Sequence, residues 1–252
     1  MAVNGDKADE RRRELAGRLA RVEERIARAC DAAGRPRGEV TLIVVTKTYP
    51  AQDVRLLAGL GVRQVAENRD QEAAGKAAAC ADASLTWHFV GQLQTNKARS
   101  VVRYADVVHS VDRARLVSAL SSAVRSQGRP PLDCLVQVAL EKENGSGSGA
   151  DAAGRGGAAP GEVPGLASAI ADAPGLRLAG VMTVAPLSGA YAGRPRAAFE
   201  RLMDISRSLR AQAPAATMVS AGMSGDLEEA IAAGATHVRV GSAVLGVRAA
   251  LR

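Results

Sequence analysis

The stretch "TLIVVTK", residues 41–47, sets a lysine at the end of an unbroken run of β-branched and aliphatic residues. A short apolar run of this kind reads as a buried strand. A helical pattern follows, opening near Pro50 and stopping at Gly61, with proline at the start and glycine past the end. That strand–helix unit recurs along the chain. Further strands are expected at "RQVAEN" (63–68), "TWHFVG" (86–91), "DVVHSV" (106–111), "LDCLVQVAL" (132–140), "LRLAGVMTV" (176–184), "TMVSAG" (217–222) and "THVRVG" (236–241). Helical patterns stand between them. "DRARLVSALSSAV" (112–124) opens on Asp112 as a cap, "PRAAFERLMDISRSL" (195–209) carries Phe199, Leu202, Met203 and Ile205, and "GDLEEAIAAG" (225–234) ends at Gly234. Eight strands in strict alternation with helices predict a single α/β domain over residues 1–252, a (β/α)8 TIM barrel. An open doubly wound sheet is the alternative, because strand count alone does not force closure.

Upstream, residues 9–33 place Leu15, Leu19, Val22, Ile26 and Ala29 at spacings of three and four, an extra N-terminal amphipathic helix. Residues 143–161, "ENGSGSGADAAGRGGAAPG", are too rich in glycine, alanine and serine to pack and predict a flexible loop after the fifth strand.

The chain has 252 residues, 47% apolar and 23% charged, with a formal charge of +7. Nucleic acid is disfavoured as a partner, because arginines are interleaved with acids and aromatic residues are only 2%, too few for stacking platforms. Cys30, Cys80 and Cys134 are odd in number and widely spaced, which predicts no disulfide framework and a reducing cytoplasm. His88, His109 and His237 are scattered, so no metal is expected. No apolar stretch has the length of a membrane span, and the N-terminus lacks an apolar leader core. The expected location is the cytoplasm.

In such a barrel the reactive face lies at the C-terminal ends of the strands. Lys47 closes the first strand, Asn68 the second, His88 lies within the third, and Arg239 stands two residues before the end of the eighth. Side chains alternate, so Thr41, Ile43, Val45 and Lys47 share a face and point into the barrel together. Drying an ammonium there is costly and favours the free amine that attacks a carbonyl. Taken alone, a lysine that snorkels into solvent is the simpler reading.

The last two strands carry the sharper signal. "SAGMSGDLEEA" (220–230) turns through glycine into a helix whose first positions are Ser224, Gly225 and Asp226, and "RVGSAVLG" (239–246) turns through Gly241 and Ser242 into another. Free N–H groups, small residues and a hydroxyl at each turn make an anion cradle, although either turn alone reads more simply as a serine cap. Two such turns beside a lysine point to a phosphorylated aldehyde held as a Schiff base, and pyridoxal 5′-phosphate is the economical candidate.

The blocks "VTKTYP" (45–50), "AENRDQE" (66–72), "WHFVGQLQTNK" (87–97), "GVMTVAP" (180–186), "SAGMSGDLEEAI" (220–231) and "GATHVRVGSAVLG" (234–246), in this order, resemble the pyridoxal phosphate homeostasis proteins. Those proteins share a barrel with the N-terminal domain of alanine racemase. The likeness runs from about residue 10 to 250. It implies Lys47 as the Schiff-base lysine, Ser224, Gly241 and Ser242 around the phosphate, Arg239 facing the pyridine nitrogen, and Asn68, Met223 and His88 lining the pocket. The chain departs from the usual wording at Gln92, where many members have histidine, and at Leu245, where many have phenylalanine.

The resemblance implies reversible binding and buffering or delivery of the cofactor, with PLP-dependent apoenzymes as recipients and without efficient catalysis. A weak amino-acid racemase is the alternative. Alanine racemase takes a tyrosine base from an additional β domain, and only ten residues follow Ser242 here. Tyr49 reads better as a packed loop residue, and a monomer is expected.

Overall fold

The computed structural model describes residues 2–145 and 156–246. Each apolar run forms a parallel strand, and each helical pattern folds back along the outside. In chain order these are α1 (Ala2–Ala32), β1 (Thr41–Val45), α2 (Ala51–Gly59), β2 (Gln64–Glu67), α3 (Asp70–Ala79), β3 (Thr86–Phe89), α4 (Ala98–Val101), β4 (Val107–Val111), α5 (Ala114–Gln127) and β5 (Leu132–Gln137). There follow α6 (Val163–Ala171), β6 (Leu176–Met182), α7 (Pro195–Gln212), β7 (Met218–Ser220), α8 (Leu227–Ala233), β8 (His237–Val240) and α9 (Ser242–Leu245).

Each strand pairs with the next, and β8 pairs back with β1 in the register Thr41↔His237, Ile43↔Arg239 and Val44↔Val240. That seam turns the sheet into a closed (β/α)8 barrel and excludes the open sheet. Closure sets the first and last strands side by side, although some 190 residues separate them along the chain.

The strands stop short of the apolar runs that announce them. β1 ends at Val45, β5 at Gln137 and β7 at Ser220, because the residues beyond have left the ladder for the loops. Two helix starts also differ from the sequence reading. α5 begins at Ala114 with Arg113 at its cap position, and α8 begins at Leu227, so 224–226 form a turn rather than a first helical turn. Asp112 is engaged elsewhere, accepting from Arg113 and, through Oδ2, from the Gly157 N–H at 3.2 Å.

That contact belongs to the far end of the Gly/Ala/Ser-rich segment. Residues 146–155 of the expected flexible loop lie outside the described residues. Residues 156–161 do pack: Ala158 is buried and bridges Val138, and Lys142 Nζ donates to the Gly157 carbonyl at 2.7 Å. The segment has few large side chains, but its backbone groups find partners.

Between strands and helices lies an apolar shell in two clusters, with Phe89, Leu116, Leu120, Ile170, Phe199 and Leu202 on one side of the barrel. On the other, α1 buries Leu15, Val22 and Ile26 against Val44, Val54, Leu57 and Val238. Side chains of this size contribute about 1.5–3 kcal/mol each on full burial, so the N-terminal helix is part of the core. Arg11 fastens it further, donating to Asp53 Oδ2 at 2.7 Å and to the Leu245 carbonyl at 3.0 Å. Within the barrel sits a small apolar cluster of Val107, Leu135, Ala179 and Met182. Among the described residues no helix is long and apolar enough to cross a membrane.

Candidate functional site

The seam between β8 and β1 determines what meets at the C-terminal mouth. Gly241 follows β8 and lies against Val45, so closely that a Cβ on it would sit 3.2 Å from the Val45 carbonyl oxygen. Lys47 stands two residues beyond Val45 in the turn after β1, while Ser242 opens α9 beside it in the sequence of the neighbouring strand. The lysine and the second glycine–serine turn therefore share one edge of the mouth.

Lys47 is exposed, and its ammonium has no hydrogen bond or ion pair among the described residues. The expectation of an amine dried at the end of a strand is corrected here, because the strand ends at Val45 and the turn beyond it is no longer enclosed by the sheet. The dry lysine is Lys76 of α3, 8% exposed. Its Nζ donates to the Thr46 carbonyl at 2.8 Å and to Glu67 Oε1 at 2.7 Å.

The turn after β7 runs through buried Gly222, whose φ of +86° and Cβ position, 2.5 Å from the Ala230 Cβ, leave room for no side chain. Met223 is exposed, Ser224 is half-buried, and Asp226 Oδ1 accepts the Met223 N–H at 2.5 Å. Arg25 of α1 donates to the Ser224 carbonyl at 3.2 Å and pairs with Glu228 at 2.8 Å, so the N-terminal helix steadies this turn. The N–H groups of Ser224, Gly225, Ser242 and Ala243 find no backbone acceptor among the described residues. Two turns with open donors stand at adjacent strand ends, as an anion cradle requires.

Beneath the mouth, a polar chain crosses the barrel. Arg239, 4% exposed, donates to Ser220 Oγ at 2.6 Å and to the Thr183 carbonyl at 2.9 Å. Ser220 Oγ meets His109 Nδ1 at 3.0 Å, His109 Nε2 meets His88 Nδ1 at 2.8 Å, and His88 Nε2 meets Gln64 Oε1 at 2.7 Å. With Gln64 Oε1 as the terminal acceptor, every donor points one way: Arg239 to Ser220, Ser220 to His109, His109 to His88, His88 to Gln64. Each imidazole then carries its proton on Nε2 and is neutral. His88 reaches Arg239 only through His109 and Ser220, so the structure puts it a row deeper than the mouth. No carboxylate pairs with Arg239 among the described residues; burial lowers its pKa to about 10, which leaves it a cation at neutral pH.

The same burial lowers His88 to about 3 and His237 to about 4, and holds His109 well below the ordinary 6.5. The unfolded chain binds these protons more readily than the native one, so stability falls as pH drops below 6.5, by about 1.4 kcal/mol per histidine per pH unit, and is level above it. Burial raises Glu67, whose contribution runs the other way and is lost as pH rises from its ordinary 4.5. Three histidines outweigh one carboxyl. Urea unfolding should show the protein less stable at pH 5.5 than at pH 7.5, by up to about 4 kcal/mol from the three histidines less the opposing share of Glu67; equal stabilities would contradict neutral, buried imidazoles.

Asn68 follows β2, and its Oδ1 is buried with no hydrogen-bond partner among the described residues. An orphaned acceptor beside the mouth fits a ligand donor, since such groups are seldom left unpaired. Sequence reasoning did not single out Thr46, Glu67, Lys76, His109 or Ser220 for roles here. Glu67, an acid inside an apolar strand pattern directly before Asn68, was the one visible signal.

The model of the alanine racemase N-terminal domain family matches residues 18–249. The chain is similar to the pyridoxal phosphate homeostasis protein of Mycobacterium tuberculosis, 40% identical over 263 residues covering 98% of both chains. It is 42% identical to that of Pseudomonas aeruginosa over 234 residues, 93% of this chain and 96% of the relative. Among solved structures it is similar to PipY of Synechococcus elongatus with PLP bound, at a TM-score of 0.74 and 33% identity over 92% of this chain and 100% of that one. Alanine racemase of Corynebacterium glutamicum shares the fold, with a TM-score of 0.61 at 18% identity over 96% of this chain and 63% of that one.

Proposed function

The chain belongs to the pyridoxal phosphate homeostasis protein family, and from that premise we propose that it binds pyridoxal 5′-phosphate reversibly through a Schiff base on Lys47. In this reading it buffers or delivers the cofactor in the cytoplasm as a monomer, with PLP-dependent apoenzymes as recipients and without efficient catalysis. When bound, the cofactor supplies an aldehyde that an amine can capture and release. Lys47 would be the amine that holds that aldehyde, with water as the leaving group, and water or another amine would release it again. An exposed amine suits that exchange. Ser224, Gly241 and Ser242 would hold the phosphate with the open N–H groups of their turns, and Asn68 would offer its unpaired Oδ1 to a ligand hydroxyl. Met223 stands at the rim, and His88 supports Arg239 from below.

The observation that carries the reading is Arg239, a buried cation whose hydrogen bonds among the described residues all go to neutral acceptors. A guanidinium donates and never accepts, so a ring nitrogen set against it stays an unprotonated acceptor. Such a ring would be a weaker electron sink, and removal of an α-proton would be harder. A second base is also poorly supplied, since Tyr49 is engaged in donating its hydroxyl to the Gly246 carbonyl at 2.7 Å.

Incubating holoprotein with L-alanine in D2O tests the absence of turnover. The expected result is no measurable α-proton exchange over hours at stoichiometric protein. Exchange within minutes would replace buffering by the racemase reading.

A further inference from the structure

Lys47 has no side-chain partner among the described residues, yet the residues on either side of it are held from three directions. Thr46 donates its N–H to the Ala66 carbonyl at 2.9 Å and its hydroxyl to Glu67 Oε1 at 2.6 Å, while its carbonyl accepts from Lys76 Nζ. On the other side, the Thr48 N–H donates to Glu72 Oε2 at 2.9 Å. Glu72 and Lys76 lie one turn apart on α3, with 3.8 Å between their charged atoms. Thr48 has a φ of +68°, a left-handed conformation that a β-branched residue rarely adopts unless its surroundings impose it.

Stability does not account for this arrangement. Glu67 is fully buried, one of its oxygens has no partner among the described residues, and a buried ion pair generally recovers no more than the desolvation of its charges. What the pair does is geometric: it fixes Thr46 on one side of Lys47, while Glu72, one turn away on the same helix, fixes the Thr48 N–H on the other.

We propose that Glu67, Glu72 and Lys76 are positioning residues: they clamp Thr46 and Thr48 so that the unpaired Lys47 amine is delivered to the mouth in one orientation. The inference rests on Lys47 being the lysine that captures the carbonyl. A rigid turn leaves less entropy to be lost when the amine bonds to a ligand held by the two anion turns. None of the three residues touches the reacting atoms.

The test uses the full-length protein, pyridoxal phosphate as the probe, and two substitutions at Glu72, which is partly exposed and whose loss should leave the fold intact. In Glu72→Ala, amide exchange at Thr48 in cofactor-free protein should quicken about tenfold, and affinity should fall about tenfold, the effect of losing one charge-assisted bond. Glu72→Gln keeps an oxygen that accepts the Thr48 N–H, so it should restore both values to near wild type. The Glu67→Gln/Lys76→Met double variant removes both buried charges together and should weaken affinity about tenfold with little change in thermal stability. Peptide mapping of the borohydride-reduced wild-type adduct separates the two levels of the argument. An adduct on a lysine other than Lys47 overturns the cofactor reading and the proposal with it. An adduct on Lys47 with affinity unchanged in Glu72→Ala, or with Glu72→Gln as impaired as Glu72→Ala, overturns the proposal alone.

Discussion

Lys47→Ala is expected to abolish the borohydride-fixed adduct, the largest effect expected of any single substitution in this chain. The wild-type protein loaded with pyridoxal phosphate should be yellow, bleach on reduction, and gain the mass of one reduced cofactor; the variant should show none of these. Lys47 is exposed and makes no hydrogen bond or ion pair with a described residue, so truncating it removes chemistry and almost no folding energy. Surface changes of this kind stay within about 0.5 kcal/mol, or about 1–2 °C for a chain of this size. Unchanged thermal unfolding together with complete loss of the adduct is the expected pair of results. A variant that still fixes one cofactor per chain would move the role to another lysine, and Lys76, the buried one, would be examined first.

Gly91→Ala is expected to have the largest effect on folding near the site. Gly91 follows β3, and a Cβ there would lie 2.0 Å from the carbonyl oxygen of Asn68 and 2.7 Å from its Cα. Those are backbone atoms, which cannot swing aside as the tip of a side chain can. The loop after β3 or the residue after β2 must move, and either shift disturbs Asn68 and, one residue earlier, Glu67. Overpacking of this severity costs about 3 kcal/mol, at the upper end of the usual range, and should lower the unfolding temperature by about 10 °C. Cofactor affinity should fall with it. Gly75→Ala is the opposing control: it lies in α3 with nothing within 4 Å of its Cβ position, so it should stabilise the protein by about 0.5–1 kcal/mol. If the two substitutions have the same sign, close packing at Gly91 is not what requires glycine there.

The elements were legible because their signals are local. "TLIVVTK" and "THVRVG" announce strands through their β-branched residues, and the α1 stripe of Leu15, Val22 and Ile26 announces a face that must be covered. The glycine–serine turns at 222–225 and 241–242 were legible for the same reason. Burial was less so. Lys47 stands next to an apolar run and is exposed, whereas Lys76 stands in an alanine-rich helix and is buried. Hydrophobic neighbours along the chain indicate where a strand lies, but not which atoms close over its end. Asp112 likewise has the residue type of a helix cap, yet it binds Arg113 and the Gly157 N–H instead.

By itself the sequence determined a barrel's worth of alternating strands and helices, an amphipathic helix ahead of them, and two glycine–serine turns near the C-terminus, since each depends on residues within a few positions of one another. Only the tertiary structure decided that β8 closes on β1, which brings Arg239 into register with Ile43 and Gly241 against Val45. It alone decided that His88, His109 and Ser220, from three separate strands, form one line of hydrogen bonds to Arg239. Such contacts join residues tens to hundreds of positions apart, and their energies arise from burial and geometry that exist only once the barrel has closed.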